Sequence, residues 1–314
     1  MPMDKIEIVT LIELPKPTAE ALASAFVLHD LSGSSEARSA VLAAHGKAIR
    51  AVVTGTGGRV DTALLTELPA VEIVSCFTAG MDSVDFAATS ARGLKVTNNS
   101  AALASSVAEL AMALVLSVAR GIPHAVDHVR QGGWWDTRRW FRGELIGARR
   151  MGIVGLGSIG SAVARMAGGF GCEIGYHGRS ARPGVPHRYF ADLHEMADWA
   201  GILVLACPGN AETHHLVDAG VLHRLGPEGW LINVARGSVV DQQALIAALE
   251  AGALGRAGLD VIDGEPAVPP QLLAMPDRVV VTPHQGSSTA DALRIRTENL
   301  IATLKAQFAA GIAA

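Results

Sequence analysis

The chain has 314 residues, a formal net charge of −4, 49% hydrophobic and 18% charged residues, a balance that excludes a disordered or fibrous protein and leaves room for two domains with separate cores. So slight a negative charge supplies no basic face for nucleic acid or an anionic membrane, and a small molecule is the expected partner. The three cysteines, Cys76, Cys172 and Cys207, are far apart in apolar runs; an odd, scattered set is neither a disulfide framework nor a zinc site, and reads as reduced core residues of a cytoplasmic protein.

At the N-terminus, Asp4, Glu7 and Glu13 interrupt the apolar residues, so the segment reads as a first strand rather than a signal peptide. Over the first hundred residues, β-rich runs at 6–12, 27–31, 48–53, 71–77 and 94–97 alternate with helical patterns. Asp61 and Asp85 stand at N-cap positions ahead of Ala- and Leu-rich segments. Such alternation predicts a parallel sheet with right-handed crossovers. The polar break Asn98-Asn99-Ser100 marks a domain boundary, followed by a long helix near 103–120. Residues 101–119 are the most apolar long segment, but Glu109 and several serines make it a buried helix rather than a membrane span.

A second strand–helix series predicts strands at 151–155, 172–177, 202–206, 231–234, 257–261 and 279–282, six in all, as a doubly wound dinucleotide-binding domain requires. It opens on Gly155-Leu-Gly157-Ser-Ile-Gly160. There Gly155 permits a tight turn, Gly157 lets a pyrophosphate approach bare backbone, and Gly160 lets the next helix pack on the strand, with the phosphates at that helix's N-terminus. Taken alone, such a turn also serves plain strand-to-helix packing. A terminal helix carrying Leu293, Leu300 and Leu304 is expected to return to the first domain. Three polar residues follow late strands of the series: Arg236, Glu265 and His284. Arginine offers a rigid fork of donors for a carboxylate, histidine moves protons near neutrality, and a carboxylate beside it holds the ring and favours its charged form.

With these residues in place, the chain resembles the D-isomer-specific 2-hydroxyacid dehydrogenases over about residues 71–288. The resemblance is strongest in the glycine turn, in Leu231-Ile-Asn-Val-Ala-Arg-Gly-Ser-Val-Val-Asp241, and in Gly258-Leu-Asp-Val-Ile-Asp-Gly-Glu-Pro266 through Thr282-Pro-His-Gln-Gly-Ser287. It implies an α/β protein of two doubly wound parallel-sheet domains. A Rossmann dinucleotide-binding domain, 100–285, is inserted into a flavodoxin-like substrate domain made of 1–99 and 286–314. By this resemblance Arg236 orients the substrate, His284 is the general acid/base, and Glu265 is its acid partner. The loop with Thr78, Ala79 and Gly80 would bind the substrate carboxylate through backbone N–H groups. Ser158, Ile159, Cys207, Pro208, Val234 and Ala235 would border the cofactor, and Asp260 would meet the nicotinamide carboxamide. The implied reaction is reduction of glyoxylate, hydroxypyruvate or a similar 2-oxo acid to the D-2-hydroxy acid, by a homodimer joined through the helix near 103–120.

One departure concerns the cofactor. Where the family's NAD-selecting carboxylate belongs, some 20 residues after the glycine turn, this chain has His177, followed by Arg179 and Ser180. A guanidinium and a hydroxyl suit a 2′-phosphate, so NADPH (NADP) is expected over NADH, as in the glyoxylate/hydroxypyruvate reductase branch. An aromatic from the stretch 133–141, Trp135 or Trp140, is expected to reach a partner subunit's site. His124 and His128 stand four apart without the glutamate of a metalloprotease pattern, His214 and His215 read as loop residues, and no metal site is expected. Formate dehydrogenase resembles the chain less, because it pairs its histidine with glutamine; phosphite oxidation and a cofactor-sensing binding role remain open on motifs alone.

Overall fold

The computed structural model describes residues 5–134 and 143–310. In chain order the elements are β1 (Glu7–Thr10), α1 (Lys16–Ala25), β2 (Val27–Asp30), α2 (Ser35–His45), β3 (Ala51–Thr54), α3 (Thr62–Glu67), β4 (Ile73–Cys76), α4 (Phe86–Ala91), β5 (Lys95–Thr97), α5 (Ser100–Arg120) and α6 (Ile122–Arg130). There follow β6 (Arg150–Val154), α7 (Ser158–Gly169), β7 (Glu173–His177), β8 (Arg188–Phe190), α8 (Leu193–Trp199), β9 (Ile202–Leu205), α9 (Ala219–Leu225), β10 (Trp230–Asn233), α10 (Gln242–Glu250), β11 (Arg256–Leu259), α11 (Pro270–Leu273), β12 (Val279–Val281) and α12 (Ala290–Ala310). The chain divides into two compact units, Met1–Leu103 with Thr289–Ala314, and Ala104–Ser288. The divisions fall a few residues downstream of the expected 99/100 and 285/286.

In the first unit the strands are all parallel and run β2-β1-β3-β4-β5, the flavodoxin-like order. The central strands β3 and β4 are buried at every residue, as a sheet covered on both faces requires. Asp61 and Asp85 cap α3 and α4 by accepting from Leu64 N and Ala88 N, both at 3.0 Å, contacts of the kind that contribute about 1 kcal/mol each. The terminal helix α12 belongs to this unit, where Leu300, Leu304 and Phe308 pack with Ile8, Leu22 and Phe26.

The second unit holds seven parallel strands in the order β12-β11-β10-β9-β6-β7-β8. Counted from β6, this is the doubly wound 3-2-1-4-5-6 order with one strand added beyond β11. The sequence reading of six strands missed β8. Its three residues, Arg-Tyr-Phe, follow Pro183 and Pro186 and pair only with β7, so no alternation is long enough to read. The break at Asn98 and Asn99 opens α5: Asn98 Oδ1 accepts from Ser100 N at 3.2 Å, and Asn99 O from Leu103 N at 2.9 Å. By length and composition α5 could cross a membrane, but half of that apolar window is buried inside the protein. Val107, Ala111, Leu114, Val115 and Val118 pack against Met151, Ile153, Trp230 and Ile232 of its own unit's sheet. One face of α5 is therefore used in the core of this unit, as the expected buried helix requires.

Candidate active site

The glycine turn leaves β6 at the point where strand order reverses, between β6 and β9, which is where doubly wound sheets bind ligands. Each glycine has its own reason. Gly155 takes φ of 90°, and a Cβ there would stand 2.7 Å from Cys207 Cα. At Gly160 a Cβ would lie 2.0 Å from the Gly155 carbonyl oxygen, so only glycine lets α7 pack so close. Around Gly157, by contrast, a Cβ would meet nothing within 4 Å, and this residue caps α7 with no side-chain hydrogen bond. The first-turn N–H groups, beginning at exposed Ser158 and half-buried Ile159, therefore open onto a bare approach for an anion. The residues present fit a dinucleotide pyrophosphate.

The end of β7 carries no carboxylate. His177 donates from Nδ1 to the Phe190 carbonyl at 3.0 Å, which orients its ring, while Arg179 and Ser180 are exposed on the loop that follows. Sequence reasoning missed a second guanidinium here. Arg182 donates to the Leu156 carbonyl inside the glycine turn, and its backbone N–H is fixed by the Tyr176 hydroxyl at 2.7 Å. Only its place five residues after the β7 end signalled it. Cys207 backs the turn, and burial pushes its thiol up to about 11; Pro208 beside it is exposed. Val234 and Ala235 are buried at the end of β10.

The three polar residues expected at the reacting end, Arg236, Glu265 and His284, follow three neighbouring strands, β10, β11 and β12, whose ends lie about 4.8 Å apart from one to the next. After β10, buried Asn233 shapes the turn: its Oδ1 accepts from Ala235 N at 3.0 Å and its Nδ2 donates to the Arg236 carbonyl at 2.9 Å. Arg236 is half-buried, and one of its guanidinium nitrogens donates to the Ala235 carbonyl at 2.7 Å. A Cβ at Gly237 would lie 2.1 Å from the Ile262 backbone, so the arginine turn presses on the loop that carries Glu265. Glu265 accepts from Ile262 N through Oε1 at 3.1 Å and turns Oε2 to Nδ1 of His284 at 2.7 Å.

His284 itself has φ of 50°, the left-handed region, a conformation that costs on the order of 1 kcal/mol or more unless its surroundings impose it. Asp260 imposes it. The Asp260 carbonyl accepts from His284 N at 2.9 Å, Oδ1 from Thr282 Oγ1 at 2.6 Å and Gln285 N at 2.9 Å, and Oδ2 from Gly286 N at 2.9 Å. Ser106 on α5 closes the loop by donating to the Gly286 carbonyl at 2.8 Å. Of the roughly four acceptor sites on a carboxylate, the Asp260 side chain has three in use. Its expected partner, a carboxamide, therefore has one site left to address.

In the first unit the carbonyls of Thr78, Ala79 and Gly80 accept from Asn99 N, Asn98 Nδ2 and Thr78 Oγ1, while the N–H groups of Ala79 and Gly80 have no partner among the described residues. At the C-terminal ends of β1, β3 and β4 lies a pocket lined by Ile12, Thr56, Gly57, Thr78 and Arg296. Arg296, also missed from sequence, stacks 4.3 Å over the Phe77 ring; its Nε is buried without a hydrogen-bond partner, and burial pushes its pKa down. Trp135 and Trp140 lie outside the described residues, and His128 bonds the Trp134 carbonyl at 3.0 Å.

Comparison with known proteins matches residues 112–286 to the family model for the NAD-binding domain of D-isomer-specific 2-hydroxyacid dehydrogenases. A glyoxylate/hydroxypyruvate reductase of Arabidopsis thaliana is 39% identical over 277 residues, covering 88% of this chain and 85% of that protein. A hydroxyphenylpyruvate reductase of Plectranthus scutellarioides is 40% identical, covering 85% of each. Among solved structures, the NADPH-dependent glyoxylate/hydroxypyruvate reductase of Sinorhizobium meliloti, in complex with NADP and malonate, superposes with a TM-score of 0.87 at 35% identity over 97% of this chain and 94% of that one. With relatives similar along nearly the whole chain, and with both sheet orders as that architecture requires, this protein belongs to the D-isomer-specific 2-hydroxyacid dehydrogenase family of NAD(P)-dependent oxidoreductases.

Proposed function

We propose that the chain reduces a small 2-oxo acid, of the glyoxylate or hydroxypyruvate kind, to the D-2-hydroxy acid with NADPH in preference to NADH. The observation that carries this reading is the 2.7 Å contact of His284 with Glu265, on a loop held in left-handed geometry one strand away from the loop that carries Glu265 and two from that of Arg236. When bound, the nicotinamide supplies a hydride to C2 of the substrate. Glu265, as an acceptor, requires the proton on Nδ1 of His284, so Nε2 is left to give its proton to the substrate oxygen as negative charge develops there. Arg236 presents fixed donors to the substrate carboxylate and to that growing charge.

NADPH is supported by two guanidinium groups and one hydroxyl, Arg179, Arg182 and Ser180, after a strand end with no carboxylate to repel a phosphate. The reading also includes a cytoplasmic homodimer. Support for the dimer is α6, where Ile122, Val126 and Val129 are exposed at the i, i+4, i+7 spacing of one helix face. Steady-state oxidation of NADPH and of NADH, each with glyoxylate, hydroxypyruvate and longer 2-oxo acids, tests the proposal. Turnover with NADPH and a lower kcat/KM with NADH is expected, whereas cofactor binding without turnover on any substrate would overturn it.

A further inference from the structure

We propose that Glu7, His29 and His45 form a site for a divalent transition-metal ion, zinc in the first place, on one face of the five-stranded sheet. Oε2 of Glu7 lies 2.7 Å from Nε2 of His29 and 3.2 Å from Nδ1 of His45, and one ligand atom from each residue falls within 4.8 Å of the others. The convergence is built into the backbone. Register pairs Glu7 with Val27 and Val9 with His29, so the two-residue period of parallel strands puts Glu7 and His29 on the same face. Helix α2 packs on β2 and ends at His45, whose ring stacks on that of His29 with centroids 4.1 Å apart and planes at 29°.

Tetrahedral zinc with bonds near 2.0–2.1 Å places its ligand atoms about 3.3 Å from one another; the 3.2 Å contact of Glu7 with His45 already has that spacing, and the 2.7 Å contact with His29 lengthens to it as the metal replaces the protons. For one carboxylate oxygen to accept from both rings, each facing nitrogen must carry a proton, and binding of a metal ion exchanges those protons for two nitrogen–metal bonds. Two imidazoles and one carboxylate suit zinc or a neighbouring transition metal, whereas magnesium and calcium require oxygen ligands. The local field favours a cation, because the Glu7 carboxylate and the carbonyl end of α2 both contribute negative charge. Nearby cationic side chains are engaged elsewhere: Lys5 donates to the Ala23 carbonyl and Arg50 pairs with Glu72. His45 is 43% exposed, which leaves an entry path and room for a water as fourth ligand. Bound metal would clamp β1, β2 and α2 together, and stabilise the fold in proportion to its free concentration.

Full-length protein stripped with EDTA and dialysed against zinc should take up one ion per chain and gain several degrees in melting temperature, with unchanged 2-oxo acid turnover. The His29→Gln and His45→Gln variants should lose both the ion and the thermal shift while keeping turnover. Cobalt(II) in place of zinc should give a tetrahedral visible spectrum only with the intact set. Should His29→Gln fail to fold, the more exposed His45→Gln decides. The proposal is overturned if the wild-type chain binds no zinc at micromolar free ion, or if the variants retain the same stoichiometry, which would place the metal elsewhere.

Discussion

Two histidine–carboxylate pairs in this protein have the same 2.7 Å contact and opposite chemistry, His284 with Glu265 in the second unit and His29 with Glu7 in the first. The difference lies in what each carboxylate and ring still has to offer. Glu265 is tied through its other oxygen to Ile262 N and meets one imidazole, on a backbone that Asp260 holds in left-handed geometry. A single oriented ring with its far nitrogen unclaimed by that carboxylate suits proton transfer. Glu7 instead gathers two stacked imidazoles on one oxygen, so the nitrogens point inward at each other and suit a shared cation. Distance alone does not assign a role; the direction of the remaining donors and acceptors does.

Removing each histidine in turn separates the two pairs. His284→Ala should lower kcat for 2-oxo acid reduction by roughly 100- to 10,000-fold with little change in cofactor affinity, as loss of a general acid does. His29→Ala should leave kcat unaffected, and equal losses in both variants would merge the two pairs into one structural class. Glu265→Gln comes next: it keeps shape and an acceptor but loses the charge that steadies the protonated ring, so kcat should fall by less than in His284→Ala while KM for substrate stays within a small factor. Next, Arg179→Ala and Arg182→Ala should each raise KM for NADPH roughly 10- to 100-fold, at about 1.5–3 kcal/mol per charge-assisted contact, and leave KM for NADH nearly unchanged. Parallel loss for both cofactors would assign these arginines to fold stability.

The smallest effect concerns pH. Burial raises the thiols of Cys76 and Cys207 from the ordinary 9.0 to about 11. A folded-state value above the unfolded one means the associated stability is intact below pH 9 and is lost as pH climbs from about 9 towards 11, because only the unfolded chain ionises freely there. Thermal melts at rising pH should show this decline, and alkylation of Cys207 in the native protein should be slow at pH 8, where on the order of one thiol in a thousand is ionised. Rapid alkylation at that pH would mean the thiol is not shielded behind the glycine turn.

The amino-acid sequence by itself determined the parts of this protein whose physics is local. Three glycines at fixed spacing, two aspartate caps and apolar strand runs depend on neighbours a few residues away, and all are found where the pattern puts them. The short edge strand β8 escaped because three residues after two prolines carry no period, whereas the buried face of α5 was legible from its apolar length. Only the tertiary structure decided the rest. Arg182 meets Leu156 across 26 residues, Asn233 sets the arginine turn through its side-chain bonds to the backbone of Ala235 and Arg236, and Glu7, His29 and His45 come from two strands and a helix end. Hydrogen bonds and coordination act over about 3 Å whatever the separation along the chain, so contacts between distant residues become visible only when the sheets bring them side by side.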